Sequence, residues 1–186
     1  MAEFDAARAA ELVAGLGGAD VVVAGFGTAG RSAASYLKSA GAHVIVVDDA
    51  FGTHEEVDGL HRLGVENAAA DEALWACARL LVVSPGFAPD HSLVAVAHAA
   101  GVPVWGEVEL AWWVDRCGAT GPPRTWLVVT GTNGKTTTVE LLGHLYRSAG
   151  EPVAVAGNVG KKFDVWACDR KPVRSEEALD ERLLGF

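Results

Sequence analysis

The segment Gly131-Thr132-Asn133-Gly134-Lys135-Thr136-Thr137 follows an apolar run, Trp126 to Thr130, and opens a helical pattern from Lys135 to Ala149. A strand, a Gly-rich turn, Gly-Lys-Thr and a helix in that order form the mechanical core of a phosphate-binding loop. Gly131 and Gly134 let the backbone bend so that successive N–H groups face one concavity. The helix N-terminus adds about half a positive charge there. Lys135 can reach the β- and γ-phosphates of a nucleotide, and the Thr136 hydroxyl is placed to ligate Mg²⁺. The common pattern has a glycine five residues before the Gly-Lys pair; Val129 stands there, so the loop is a variant. The plainer alternative is a glycine turn ahead of a helix that carries an exposed lysine.

A second constellation is Gly25-Phe26-Gly27-Thr28-Ala29-Gly30, after the apolar run Asp20–Ala24, with Asp48 and Asp49 closing the next such run. This is the dinucleotide fingerprint: glycines for the turn, for phosphate approach and for helix packing, and an acid for a ribose hydroxyl. It also fits a tight strand-to-helix turn, and it leaves open which nucleotide would sit there. Ser84-Pro85-Gly86 follows a third strand at the edge where ligands of open α/β sheets gather, though it also reads as a strand-ending turn. Asn158, in Gly157-Asn158-Val159-Gly160, is either a turn residue or a polar ligand contact. The six histidines show no metal-ligand spacing. No Gly-x-Ser-x-Gly or Cys/His pairing suggests covalent catalysis, and Trp112-Trp113 reads as packing.

The elements that must position these residues alternate. Strands are expected at 20–24, 43–47, 79–83 and 102–105, and helices at 29–40, 90–100 (capped by Asp90 or Ser92) and 107–114. Ala33, Ala34 and Leu37 should face inward. Apolar strands alternating with helices predict an α/β fold, a Rossmann-like parallel sheet covered on both faces. Cys117–Thr125 holds two glycines and Pro122-Pro123, through which no helix continues. It separates a unit with a strand at 126–130, a helix at 135–149 and a strand at 153–156. The expected layout is a Rossmann-like domain at 1–118, a linker at 119–125, the start of a phosphate-loop domain at 126–160 and an atypical tail at 161–186. A short helix at 175–184 is possible within that tail.

The chain has 186 residues, half of them apolar by type, and a formal charge of −9. That composition excludes a chain that is mainly disordered. The basic residues are scattered, which argues against nucleic acid as a partner. The three cysteines form no CxxC pair and read as thiols of a reducing compartment. Charged residues interrupt the first 18 positions and no run suits a membrane span, so a cytoplasmic chain without a signal peptide is expected. Nothing signals an oligomer.

Taken together, the Gly25–Gly30 loop, Ser84-Pro85-Gly86, Gly106-Glu107-Val108-Glu109-Leu110, the Gly131–Thr137 loop and Gly157-Asn158-Val159-Gly160 resemble the Mur ligase family, over about residues 5–160. The Ser-Pro-Gly and Gly-Glu-Val-Glu-Leu segments point to its D-glutamate-adding branch. The resemblance implies an ATP-dependent amide-bond ligase of peptidoglycan precursor synthesis. Its small-molecule substrates would be UDP-N-acetylmuramoyl-L-alanine and D-glutamate. The first domain would hold the UDP part: Gly27, Thr28, Ala29, Asp48 and Asp49 near the nucleotide, and Ser84, Pro85, Gly86 and Asn158 near the substrate. ATP and Mg²⁺ would lie on Gly131, Thr132, Asn133, Gly134, Lys135, Thr136 and Thr137, with Lys135 and Thr136 in catalytic roles and Thr136 on the metal. The chemistry implied is attack of the substrate carboxylate on the γ-phosphate to give an acyl phosphate, which the amine of D-glutamate then opens.

Past Gly160 the family carries a magnesium-binding glutamate, a histidine, a carbamylated lysine and a C-terminal domain, and residues 161–186 do not follow that pattern. The expectation is a truncated or frameshifted product, or a fragmentary record, inactive alone. Two alternatives remain: a non-catalytic module for a UDP-sugar or dinucleotide, and an NAD-dependent oxidoreductase, which would leave the phosphate loop without a purpose.

Overall fold

A computed structural model describes residues 6–51, 55–57 and 60–156. Asn158, the Gly157–Gly160 segment, Cys168 and the helix considered at 175–184 lie outside them. The chain divides into two compact units, Met1–Arg124 and Thr125–Phe186.

The first unit is built on a sheet whose order is β3-β4-β2-β1-β5-β6. Its strands are β1 (Asp20–Ala24), β2 (His43–Val47), β3 (Glu55–Val57), β4 (Leu60–Leu63), β5 (Ala78–Val83) and β6 (Val104–Gly106). Five strands, from β4 to β6 in that order, run parallel, and β3 pairs antiparallel to β4 at the edge. Helices α1 (Ala6–Ala14), α2 (Thr28–Ser39), α3 (Val65–Ala70), α4 (Glu72–Cys77), α5 (Ser92–Ala99) and α6 (Glu107–Arg116) complete the unit.

The two-residue period of the strands sorts the core into two layers. Val21, Val23, Val44, Val46, Leu80 and Val82 face one side and pack with Leu12 and Leu16 near α1, Leu37 of α2 and Val114 of α6. Val22, Ala24, Val47 and Leu81 face the other side and meet Ala68 of α3, Trp75 of α4 and Leu93 and Ala97 of α5. Burial on both faces explains why these strands read as continuous apolar runs. Each fully buried valine or leucine contributes about 1.5–3 kcal/mol of transfer free energy. Ala33, Ala34 and Leu37 are buried as α2's spacing predicts.

Several boundaries differ from the expectations. Helix α5 starts at Ser92, and its cap is His91, whose Nδ1 accepts from the Leu93 N–H at 3.2 Å. Strand β6 starts at Val104 because Pro103 has no N–H to donate to a ladder, although its carbonyl accepts from Leu81 N–H at 2.9 Å. The β3–β4 hairpin and helices α1, α3 and α4 were not foreseen. Among the described residues no helix is long and apolar enough to cross a membrane.

In the second unit, α7 (Lys135–Ser148) forms where its pattern predicts. Gly143 is its buried residue, and it lies against Val155 closely enough that a Cβ would collide with that side chain. The runs 126–130 and 153–156 are not strands. A strand requires a ladder, and none is formed by 127–130 or 153–156 among the described residues. Val128 is accordingly 80% exposed.

Candidate nucleotide sites

The chain turns back from β1 toward β2 on one side, while β5 leads to β6 on the other. This makes a topological switch point at the carboxyl ends of β1 and β5, the place where open α/β sheets bind ligands. Gly25 leaves β1 there, and its N–H donates to Val47 O at 2.7 Å. Gly30, in the first turn of α2, packs so closely on the loop that a Cβ would overlap the Gly25 carbonyl. Close approach of helix and loop therefore requires glycine at position 30.

Two distant residues converge on this loop. The Asp48 Oδ2 accepts the Phe26 N–H at 2.7 Å, and its Oδ1 accepts the Ala50 N–H at 3.0 Å. Ser84 Oγ donates to the Gly25 carbonyl at 3.3 Å, and Ser84 N–H donates to Ala24 O at 2.9 Å. The structure thus brings Gly25, Phe26, Asp48 and Ser84 together. Gly27, the N-cap of α2, and Thr28, its first residue, are exposed at the loop's rim. Ala29 is half-buried, and Asp49, Pro85 and Gly86 are exposed.

Sequence reasoning missed the side chains that surround Phe26. The guanidinium carbon of Arg31 lies 4.8 Å from the Phe26 ring centroid, and Arg31 Nε donates to Phe26 O at 3.0 Å. Arg62, on β4, lies 5.5 Å from the Phe26 ring and 5.2 Å from the Phe51 ring. The two rings are 5.9 Å apart. No spacing rule links positions 26, 51 and 62; only the register of β4 beside β2 does.

At the carboxyl edge of β6, Glu107 opens α6. Its Oε2 is shielded from solvent and has no hydrogen-bond partner, and burial holds its carboxyl above the usual range. A groove of about 660 Å³ lies at the opposite, amino-terminal edge of β5 and β6, between Arg8, Glu11, Trp75, Arg79 and Pro103. It is remote from the Gly25 loop, and the size of a hollow does not decide where the chemistry sits.

In the second unit, Gly134 is the N-cap of α7 at φ +74°, a left-handed conformation that favours glycine. Its carbonyl accepts the Thr138 N–H at 2.9 Å, which starts the helix. Lys135 folds its Nζ back onto the loop, donating to the carbonyls of Gly131 and Thr132, the latter at 3.1 Å. Gly131, Thr132, Asn133, Gly134, Lys135, Thr136 and Thr137 are all exposed. Among the described residues Lys135 has no carboxylate partner, so an arriving phosphate competes only with two neutral carbonyls. No cluster of three metal-ligating side chains occurs among the described residues. The Thr136 hydroxyl fits a Mg²⁺ held chiefly by nucleotide phosphates and water, which is how Mg²⁺ is commonly bound.

A parallel-stranded unit followed by a helix that opens on Gly134-Lys135-Thr136 is an α/β architecture of the kind that commonly binds nucleotides. Residues 19–106 match the Mur ligase MurD-like N-terminal domain, and residues 129–178 match the Mur ligase middle domain. The chain belongs to the Mur ligase family. The middle-domain match runs to residue 178, beyond the Gly160 at which the resemblance was expected to end.

Several UDP-N-acetylmuramoylalanine--D-glutamate ligases are similar to this chain. The one from Nocardia farcinica is 44% identical over 148 residues, covering 78% of this chain and 30% of the relative. The one from Rhodococcus jostii is 44% identical over 179 residues, covering 92% of this chain and 34% of the relative. The one from Mycobacterium avium is 47% identical over 145 residues, covering 77% of this chain and 29% of the relative. The chain spans about a third of the length of the curated relatives it matches.

Proposed function

We propose that the chain carries the nucleotide-binding parts of an ATP-dependent ligase that joins D-glutamate to UDP-N-acetylmuramoyl-L-alanine. The observation that carries this reading is the pairing of a switch-point loop in the first unit with a phosphate loop in the second, in a chain similar to D-glutamate ligases. The domain layout that goes with it is a UDP-precursor domain over 1–118, a connection at 119–125 and a phosphate-loop domain from 126.

In this reading Gly27, Thr28 and Ala29 present backbone N–H groups to the diphosphate at the start of α2. Asp48 holds the loop in shape through Phe26 and Ala50, and Asp49 reaches the nucleoside. Ser84, Pro85 and Gly86 line the path to the reacting end of the substrate, and Asn158 is a further candidate for substrate contact. In the second unit, Gly131, Thr132, Asn133, Gly134 and Thr137 cradle the ATP phosphates. Lys135 exchanges its two carbonyl partners for phosphate oxygens and neutralises charge on the transferring phosphoryl group. Thr136 contributes a hydroxyl to Mg²⁺, which supplies charge neutralisation when bound. The substrate carboxylate attacks the γ-phosphorus and ADP leaves; the amine of D-glutamate then displaces phosphate from the acyl phosphate. Such a reaction gains most from positioning and fixed charge. A cytoplasmic setting suits these substrates.

A coupled phosphate-release assay with ATP, UDP-N-acetylmuramoyl-L-alanine and D-glutamate tests the reach of these 186 residues. The expected result is nucleotide binding without substrate-dependent turnover. Turnover that needs all three substrates would show that the chain ligates unaided.

A further inference from the structure

The Phe26–Phe51 pair holds two positive charges, Arg31 and Arg62, at the carboxyl end of β1. Arg62 is pressed toward both rings and Arg31 toward one. Neither guanidinium has an ion-pair partner among the described residues, in a chain whose net charge is −9. The Arg62 Nε is shielded from solvent and donates no hydrogen bond. A shielded donor without an acceptor is costly, and the cost is relieved when an acceptor arrives. A guanidinium that uses its faces for cation–π contact keeps its N–H groups free in the plane.

The ring that both arginines flank belongs to the loop between β1 and α2. That loop leads into the N-terminus of α2, whose cap, Gly27, supplies no side-chain hydrogen bond to the first turn. Two cations beside such a loop suit an anion with several oxygens. A neutral base would not answer two positive charges.

We propose that Arg62, braced between Phe26 and Phe51 and assisted by Arg31, is a cationic clamp for the diphosphate of a nucleotide bound at the Gly25–Gly30 loop. The proposal rests on the reading of that loop as a nucleoside diphosphate site. Phe26 and Phe51 fix the guanidinium before ligand arrives, so little side-chain entropy is lost on binding. Arg31 is exposed and makes the smaller contribution.

The test is a calorimetric titration of the 186-residue chain and its Arg62→Met, Arg62→Lys and Arg31→Met variants with UDP and with uridine. Circular dichroism and a thermal melt establish that each variant is folded. Wild type is expected to bind UDP more tightly than uridine. Arg62→Met should bind UDP roughly tenfold more weakly, the worth of a charge-assisted hydrogen bond. Its affinity for uridine should not change. Arg62→Lys should recover part of the loss, and Arg31→Met should lose less than Arg62→Met. If folded Arg62→Met binds UDP as wild type does, or loses UDP and uridine equally, the clamp is overturned while the loop reading stands. If wild type binds no UDP, the loop reading falls and the clamp with it.

Discussion

Both oxygens of the Asp115 carboxylate are committed to Arg124: Oδ1 accepts from Nε at 2.8 Å, and Oδ2 accepts the backbone N–H at 3.0 Å. Asp115 is fully buried at the end of α6. Arg116 adds a contact to Oδ2 at 3.2 Å and also donates to the Arg124 carbonyl, while Arg124 Nη2 reaches Thr120 Oγ1 at 2.8 Å. The Gly- and Pro-rich stretch after α6 is therefore folded back and tied to the first unit as far as Arg124. Replacement by alanine removes the acceptor for three donors at once. Asp115→Ala is expected to lose about 2–3 kcal/mol of stability, less than a fully buried pair because Arg124 is partly exposed. Denaturant unfolding reads it; a loss below about 0.5 kcal/mol, the scale of an ordinary surface substitution, would contradict the role.

The close approach of Gly30 to the Gly25 carbonyl gives a second prediction. A methyl group at position 30 must push α2 away from β1. Gly30→Ala is expected to cost about 3 kcal/mol, at the upper end for overpacking. It should also weaken nucleotide binding in the first unit, because the loop N–H groups move. A melt unchanged from wild type would show that the loop relaxes without cost.

Lys135 should behave in the opposite way. Its ammonium touches only exposed carbonyls, so Lys135→Ala is expected to leave the melting temperature within a degree or so of wild type, as surface substitutions do. ATP affinity should fall by about tenfold to a hundredfold, the worth of one charge-assisted hydrogen bond to phosphate. Equal ATP affinity in variant and wild type would remove Lys135 from the site.

Glu107 predicts a pH dependence. Burial raises its pKa in the folded chain, so the folded state holds the proton more tightly than the unfolded one. Its stabilising contribution is present below the unfolded value and is lost as pH rises through the folded value. Glu107→Gln removes that loss. The variant should melt above wild type at neutral pH and with wild type in acid below the ordinary carboxyl range. Parallel melting curves across that window would contradict this account.

Much of this was legible in the sequence, for physical reasons. Asp20–Ala24 and His43–Val47 are buried on both faces, so their β-branched runs needed no partner information to be recognised. Gly25–Gly30 announced itself because a helix that close to a strand end admits little else. Short elements carried no such signal. The β3–β4 hairpin is polar and brief, and α3 and α4 span six residues each. Trp126–Thr130 has the composition of a strand but forms none among the described residues, because a strand also needs a ladder that composition cannot supply. The Arg62 contact was illegible because it depends on β4 lying beside β2, a register that no local motif encodes.

The central claim is that the first unit binds a UDP-linked precursor rather than a dinucleotide. Titration of the chain with UDP-N-acetylmuramoyl-L-alanine and with NADH, followed by calorimetry, tests it most directly. Saturable binding of the UDP compound with no response to NADH is the predicted result. Saturable binding of NADH with no response to the UDP compound would contradict it.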